Sequence, residues 1–215
     1  FRWLAPDTVG GGISHRGDQS PVRVLVPPRH QRMATLGAEH LFTPRSKVWG
    51  EVAVSNEDQN TFSTLDDADN TGLAVRIGGV HAIPLSAVDT AKKLVLGSEN
   101  EWRSTHLTVV ERYRPVEFDR DWNLAGVVQD GSQGLASASI GFVNGDRGRL
   151  DLTGSIFQID QRFRGIREAL AGKMRFGRFD AALDGSLLRT DTEGEGSGFL
   201  RNKAMLSRRF KGFAL

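Results

Sequence analysis

The sequence predicts an all-β chain of antiparallel hairpins, and three observations carry that expectation. Apolar and polar residues alternate with period two in one segment after another, and polar turn clusters separate those segments. No apolar run approaches the roughly 18 residues that a membrane-spanning helix needs, which leaves open a barrel whose strands are about ten residues long and only alternately apolar. With 25 glycines in 215 residues, many tight turns are expected and long helices are not.

Residues 1–28 read as a loop-rich lead-in. They hold Gly10, Gly11 and Gly12, the tripeptide Arg16-Gly17-Asp18, and a short strand candidate over residues 22–26 closed by Pro27 and Pro28. Residues 29–215 read as one antiparallel β segment. Over residues 47–55, Val48, Val52 and Val54 fall on one face, with Trp49, Glu51 and Ser55 on the other; over 72–83, Leu73, Val75, Ile77 and Ile83 oppose Arg76, Gly78 and Ala82. Residues 87–96 fit either a short helix or a strand. Alternation returns at 101–112, where Leu107 and Val109 stand among Thr105, His106 and Thr108.

The clearest hairpin joins residues 135–143 to 149–159 through Asn144-Gly145-Asp146-Arg147-Gly148, residues that tolerate positive φ. The same pattern predicts strands over 173–180, 181–189, 198–207 and 208–215, with a polar loop over 190–197. About nine strands result, with no repeat of fixed length, so neither a propeller nor a solenoid is expected. The chain opens on Phe1 without a start Met and closes on Phe213-Ala214-Leu215 inside an apparent strand. It therefore reads as a piece of a larger exported product whose partner strand lies elsewhere.

Composition removes several function classes. Lys plus Arg total 28 against 26 for Asp plus Glu, and most arginines have a carboxylate within a few positions, so no nucleic-acid partner is expected. The absence of cysteine excludes disulfides, a thiolate nucleophile and a Cys-ligated metal. Two all-β architectures then compete: a transmembrane β-barrel, seen in this fragment as part of the barrel or as an open, curved sheet, and a soluble exported β-sandwich that binds glycan or protein. Turn lengths favour the barrel, because 144–148 is short while 56–71 and 190–197 are longer and acidic, as alternating short and long barrel turns require.

Two segments carry a resemblance. Residues 49–74 read WGEVAVSNEDQNTFSTLDDADNTGLA and residues 111–124 read ERYRPVEFDRDWNL, with PVRVLVPPRHQRMATLGAEH before them. Together they resemble large outer-membrane β-barrel proteins of Bacteroidetes-type bacteria, over about residues 21–124. The resemblance implies outer-membrane location and contact with outer-membrane lipid and other envelope proteins; it implies no catalytic residues.

Candidate sites are few. Asp66, Asp67, Asp69 and Asn70 cluster before Gly72 in a way that suits calcium, a hard cation that takes oxygen ligands around a tight turn. The position twelve from Asp67 is Gly78, so this is no EF-hand, and an exposed Asx-type turn is the expectation; no cofactor is expected. Arg112, Arg114, Glu117, Asp119, Arg120 and Asp121 form a charge cluster. Glu117 and Asp119 would share a face if a strand continued past Pro115, the arrangement a β-rich hydrolase would use. Arg112, Arg114 and Arg120 would neutralise them, so the expected role is a structural ladder holding a loop to the barrel wall, with Trp122 as an anchor at the membrane interface. His15, His30, His40, His81 and His106 have no short metal spacing, and no G-x-S-x-G elbow is present. The expected function is accordingly non-enzymatic: a pore wall, scaffold or partner-binding surface.

Overall fold

The computed structural model describes residues 7–9, 12–14, 26–65, 67–87 and 90–208. Two short strands, β1 (Asp7–Val9) and β2 (Gly12–Ser14), pair with each other in the lead-in. The tripeptide Arg16-Gly17-Asp18 and nearly all of the 22–26 strand candidate lie outside the described residues, as do residues 209–215.

Nine long strands make a single sheet: β3 (His30–Thr43), β4 (Ser46–Asp58), β5 (Thr71–Pro84), β6 (Lys92–Arg103), β7 (Gln133–Asn144), β8 (Gly148–Ile159), β9 (Phe163–Phe176), β10 (Phe179–Thr192) and β11 (Glu195–Arg208). Spatial order follows sequence order, and every pairing is antiparallel. The chain is all-β, as its alternation predicts. Among the described residues the long strands form one open sheet rather than two stacked sheets, with β3 and β11 at its edges.

Four boundaries differ from the sequence expectation, each for a physical reason. In the 87–96 region residues 90–91 turn into β6, whose register against β5 places Leu94 and Leu96 beside Ile83 and His81. β6 ends at Arg103, so only 101–103 of the 101–112 segment are strand; Ser104 binds back to Leu73 (N to O 2.8 Å), and the chain leaves the sheet there. Residues 173–180 straddle a hairpin in which Gly177, at φ 60°, turns β9 into β10. The polar run 190–197 is no loop. Glu193 and Gly194, with φ of 52° and 91°, form a two-residue turn inside one long hairpin, and the positive φ at both positions is the primed-turn geometry that matches strand twist.

Side chains separate by face. On the face that we call outer, Val52, Val75, Ile77, Ile140, Leu152 and Ile156 are all exposed. The opposite, inner face carries Glu51, Arg76, Glu99, Asp151, Arg167 and Lys203, and the sheet's hydrophobic cluster lies on that side. The connections also segregate. Residues 44–45, 145–147 and 177–178 turn at one end, where β5 also passes to β6, whereas the other end carries the long β4–β5 and β6–β7 connections together with the short turns 160–162 and 193–194.

The outer apolar band runs obliquely to the strand register. The row through Val52 passes Val75 and Trp102 but ends on Arg164 and Asp191, while the row through Val48 ends on Leu187. Thus the apolar stretch on β10, Leu187 to Phe179, begins at the row where that on β4, Val54 to Val48, finishes. The displacement is about one residue per strand. With a rise of about 3.4 Å and a strand spacing of about 4.8 Å, this corresponds to a band inclined by roughly 35° to the hydrogen-bond direction.

Candidate functional site

The one large departure from the meander is segment 104–132, which folds back over the inner face at the long-connection end. Glycine makes its close approach possible at both sides. A Cβ at Gly72 would collide with the backbone of Leu107, and a Cβ at Gly165 would stand 2.8 Å from Cε3 of Trp122. At its start, Thr108 donates its N–H to Ser55 Oγ (3.0 Å), and Ser104 Oγ accepts from the Leu73 N–H (2.9 Å). At its far end the Ser132 N–H donates to Asp160 Oδ1 (3.0 Å). Asn123 reaches Ser197 on β11, so the segment crosses the inner side from β4 to β11.

Its middle holds one turn of helix, α1 (Phe118–Asp121), which sets Phe118 and Trp122 four residues apart on the same side. Phe118, Trp122 and Leu124 pack on Phe157 and Ile159 of β8, Phe163 of β9 and Leu188 of β10. The Phe118 and Phe157 rings meet edge to face at 5.1 Å, and those of Trp122 and Phe157 lie tilted at 5.4 Å. These inner positions break the polar pattern of their face for this purpose. Trp122, only 4% exposed, is a core residue of this cluster and not an anchor at a membrane interface. The expectation failed because the strand-face reading gave the indole no internal partner.

Arg114 ties the aromatic cluster to the wall. Its Nη2 donates to Glu101 Oε1 of β6 (2.6 Å) and its Nη1 to Gln133 Oε1 of β7 (2.6 Å). The guanidinium carbon also lies 4.4 Å from the Phe118 ring centre, 5.1 Å from Phe157 and 5.2 Å from Tyr113. The Arg114 and Glu101 side chains are only 12% and 14% exposed, so the pair is well removed from solvent. Tyr113 donates its hydroxyl to Glu101 (3.2 Å), and burial pushes that hydroxyl's pKa up, with the Arg114 charge opposing and the Glu101 charge adding to the rise.

Asp121 makes the second tie. Its Oδ1 accepts from Arg201 Nη1 of β11 (3.2 Å) and Arg120 Nη2 (3.1 Å), and its Oδ2 lies 3.7 Å from Arg167 of β9. Burial alone would raise its carboxyl, but the hydrogen bonds from Arg201 and Arg120 and the charge of Arg167 outweigh it and hold the group below its ordinary range.

The other residues singled out from sequence are placed differently. Arg112 folds onto its own segment, donating to the carbonyls of Arg114, Pro115 and Val116. Glu117 is the residue before α1 and Asp119 lies within it; both are exposed and in no ion pair among the described residues, so the shared strand face that a paired-carboxylate site needs is not formed. Asp66 and the Asp67 side chain lie outside what is described, and Asp67–Asp69 form a 3-10 turn. No group of metal-ligating side chains occurs among the described residues. His15 is outside the description; His81 Nδ1 meets Ser46 Oγ at 2.6 Å, and Ser46 is in turn bonded to Thr43 (3.0 Å) across the β3–β4 turn. The residues that sequence reading missed are Glu101, Gln133, Arg167 and Arg201, whose roles arise only from the register that brings their strands under the segment.

Beyond the segment, the inner face at the short-turn end is open. A depression of about 710 Å³ there is lined by Arg149, Asp151, Lys173, Asp184 and Lys203. The arrangement is a charged wall, partly covered at one end by a fixed strap. Comparison with protein-family models, with curated proteins and with solved structures gave no match.

Proposed function

We propose that this chain is a non-enzymatic section of the wall of an outer-membrane β-barrel, with segment 104–132 folded inside as a strap that narrows the interior at one end. The observation that carries the reading is the exposed apolar outer face set against a charged inner face. In water, single exposed apolar residues are ordinary, but a band of them across the strands of one sheet, interrupted by Ser98 and Asn100 of β6 and Glu168 of β9, fits an apolar medium. Lipid supplies it, and the polar and charged alternate positions then face a wet interior.

Four further features agree. The band's inclination of roughly 35° falls at the tilt of about 35–45° that strands take in such barrels. Strands of 12 to 14 residues exceed the roughly 9–11 needed to cross hydrocarbon at that tilt. Aromatic residues stand at the band's margins, Trp102 on one side and the Phe176–Phe179 pair on the other. Both long connections leave one end, which also holds the short turns 160–162 and 193–194, and a side that carries the longer loops is expected of these proteins.

The experiment is fractionation of the gene product that carries this chain. It is expected to sediment with outer membranes, to need detergent for release, and to change gel mobility on heating. Recovery as a soluble monomer in buffer would refute the proposal.

A further inference from the structure

The hollow between the strap and strands β9 to β11 carries more positive charge than the strap's attachment requires. Arg167 of β9 and Arg201 of β11 stand on either side of β10 on the inner face, Arg167 paired with Leu188 and Arg201 with Ser186. The strands that bear them are two spacings of about 4.8 Å apart, and the strap brings Arg120 and Asp121 to the gap between them. The hollow measures about 340 Å³, with Ser186, Leu188 and Phe199 from β10 and β11 along its floor.

A single carboxylate answers all three arginines. Asp121 Oδ1 accepts from Arg201 and Arg120, while its Oδ2 lies 3.7 Å from Arg167, too far for a hydrogen bond. Among the described residues none of the three donates to any other group, and no second carboxylate lines the hollow. Three positive charges against one negative leave an excess of two. One such pair would hold the strap here, and Arg114 and the aromatic cluster already fix its middle. Guanidiniums gathered without matching carboxylates repel one another, and an anion seated among them turns that repulsion into attraction.

We infer that this hollow binds a small organic dianion, with Arg120, Arg167 and Arg201 donating to its oxyanion head and Leu188 and Phe199 against its apolar body. The planar fork of arginine suits paired oxygens of a phosphate, and a phosphate monoester carries about 1.5 to 2 negative charges near pH 7, which matches the excess of two. The volume lies at the lower end of the roughly 300–1,000 Å³ of small-molecule sites, so a ligand of about one ring fits. Leu188 is 5% exposed and Phe199 50%, so the apolar floor runs from the buried cluster out to an accessible rim. The larger depression nearby is different: Arg149 is paired there with Asp151 (2.6 Å), and Asp184 stands directly opposite Lys203, so its charges are closer to balance. The inference stands on the inner face alone and is independent of the medium that meets the outer one.

The test is saturation-transfer NMR of phenyl phosphate with the intact gene product at low ionic strength, where screening is weak. Phenyl phosphate is expected to bind, inorganic phosphate to bind several-fold more weakly, and residues 117–124 to exchange their amide hydrogens more slowly when phenyl phosphate is added. Arg167→Gln and Arg201→Gln should each weaken binding about tenfold, the loss of a hydrogen bond to a charged group. Arg201 lies on an edge strand with its side chain 57% exposed, so its substitution leaves the sheet intact and keeps the test readable. Lys173→Gln, in the neighbouring depression, should leave the affinity unchanged. No binding by the unaltered product, or undiminished binding by both arginine variants, would overturn the inference. So would an equal loss on Lys173→Gln, the mark of general charge attraction, or equal affinity for inorganic phosphate, which would leave the apolar floor without a role.

Discussion

At the residue scale, Arg114 has the largest role relative to its size. It answers a carboxylate and an amide from two strands while its flat face rests against three aromatic rings, a combination that lysine cannot reproduce. Arg114→Met leaves Glu101 buried beside an apolar neighbour, and loss of one partner of such a pair costs about 3 kcal/mol. Faster hydrogen exchange confined to residues 104–132 is the expected signature, and adding Glu101→Gln should recover much of the loss. Asp121 gives the strap a pH dependence. Its carboxyl is held below the ordinary range in the folded state, so its contribution is complete above the unfolded carboxylate pKa of about 3.9 and is lost as pH falls through the folded value. Proteolysis of the strap should therefore quicken only below about pH 4, and Asp121→Asn should abolish that acid step.

At the element scale, the hairpins show where the sequence is legible and where it is not. The β7–β8 pair was readable because Asn144 and Gly145 announce a turn between two clean alternations. The β10–β11 pair was not, because Glu193 occupies a positive-φ position where asparagine or aspartate is the usual signal. Glu193→Asn, with a side chain better suited to that conformation, is expected to stabilise the hairpin by about 0.5–1 kcal/mol, read as a higher unfolding midpoint in denaturant. The strap was half legible. Its charged and aromatic residues stood out, but local periodicity cannot show that residues 104–112 leave the sheet, nor that Phe157, Phe163 and Leu188 wait beneath Phe118 and Trp122. Those partners are contributed by β8, β9 and β10, and long-range register is invisible to a window of a few residues.

At the scale of the whole molecule, the alternation in the sequence and the faces of the sheet agree: Val48, Val52 and Val54 on one side, Trp49, Glu51 and Ser55 on the other. What alternation alone could not say is whether the apolar side meets a second layer or an apolar solvent. In the structure it meets no other described element, and its cluster of buried residues lies on the opposite face. Leu152, near the middle of the outer band and 52% exposed, and its neighbour Thr153 on the inner face therefore make the most direct comparison. For a protein in water, arginine at exposed Leu152 changes stability by no more than about 0.5 kcal/mol, whereas arginine facing the bilayer midplane costs about 2–4 kcal/mol. The decisive measurement is the fraction of heat-modifiable, membrane-assembled product for Leu152→Arg and Thr153→Arg, each in the intact gene product. Severe loss for Leu152→Arg with near-normal assembly for Thr153→Arg is expected, and equal tolerance of both substitutions would contradict a lipid-facing outer surface.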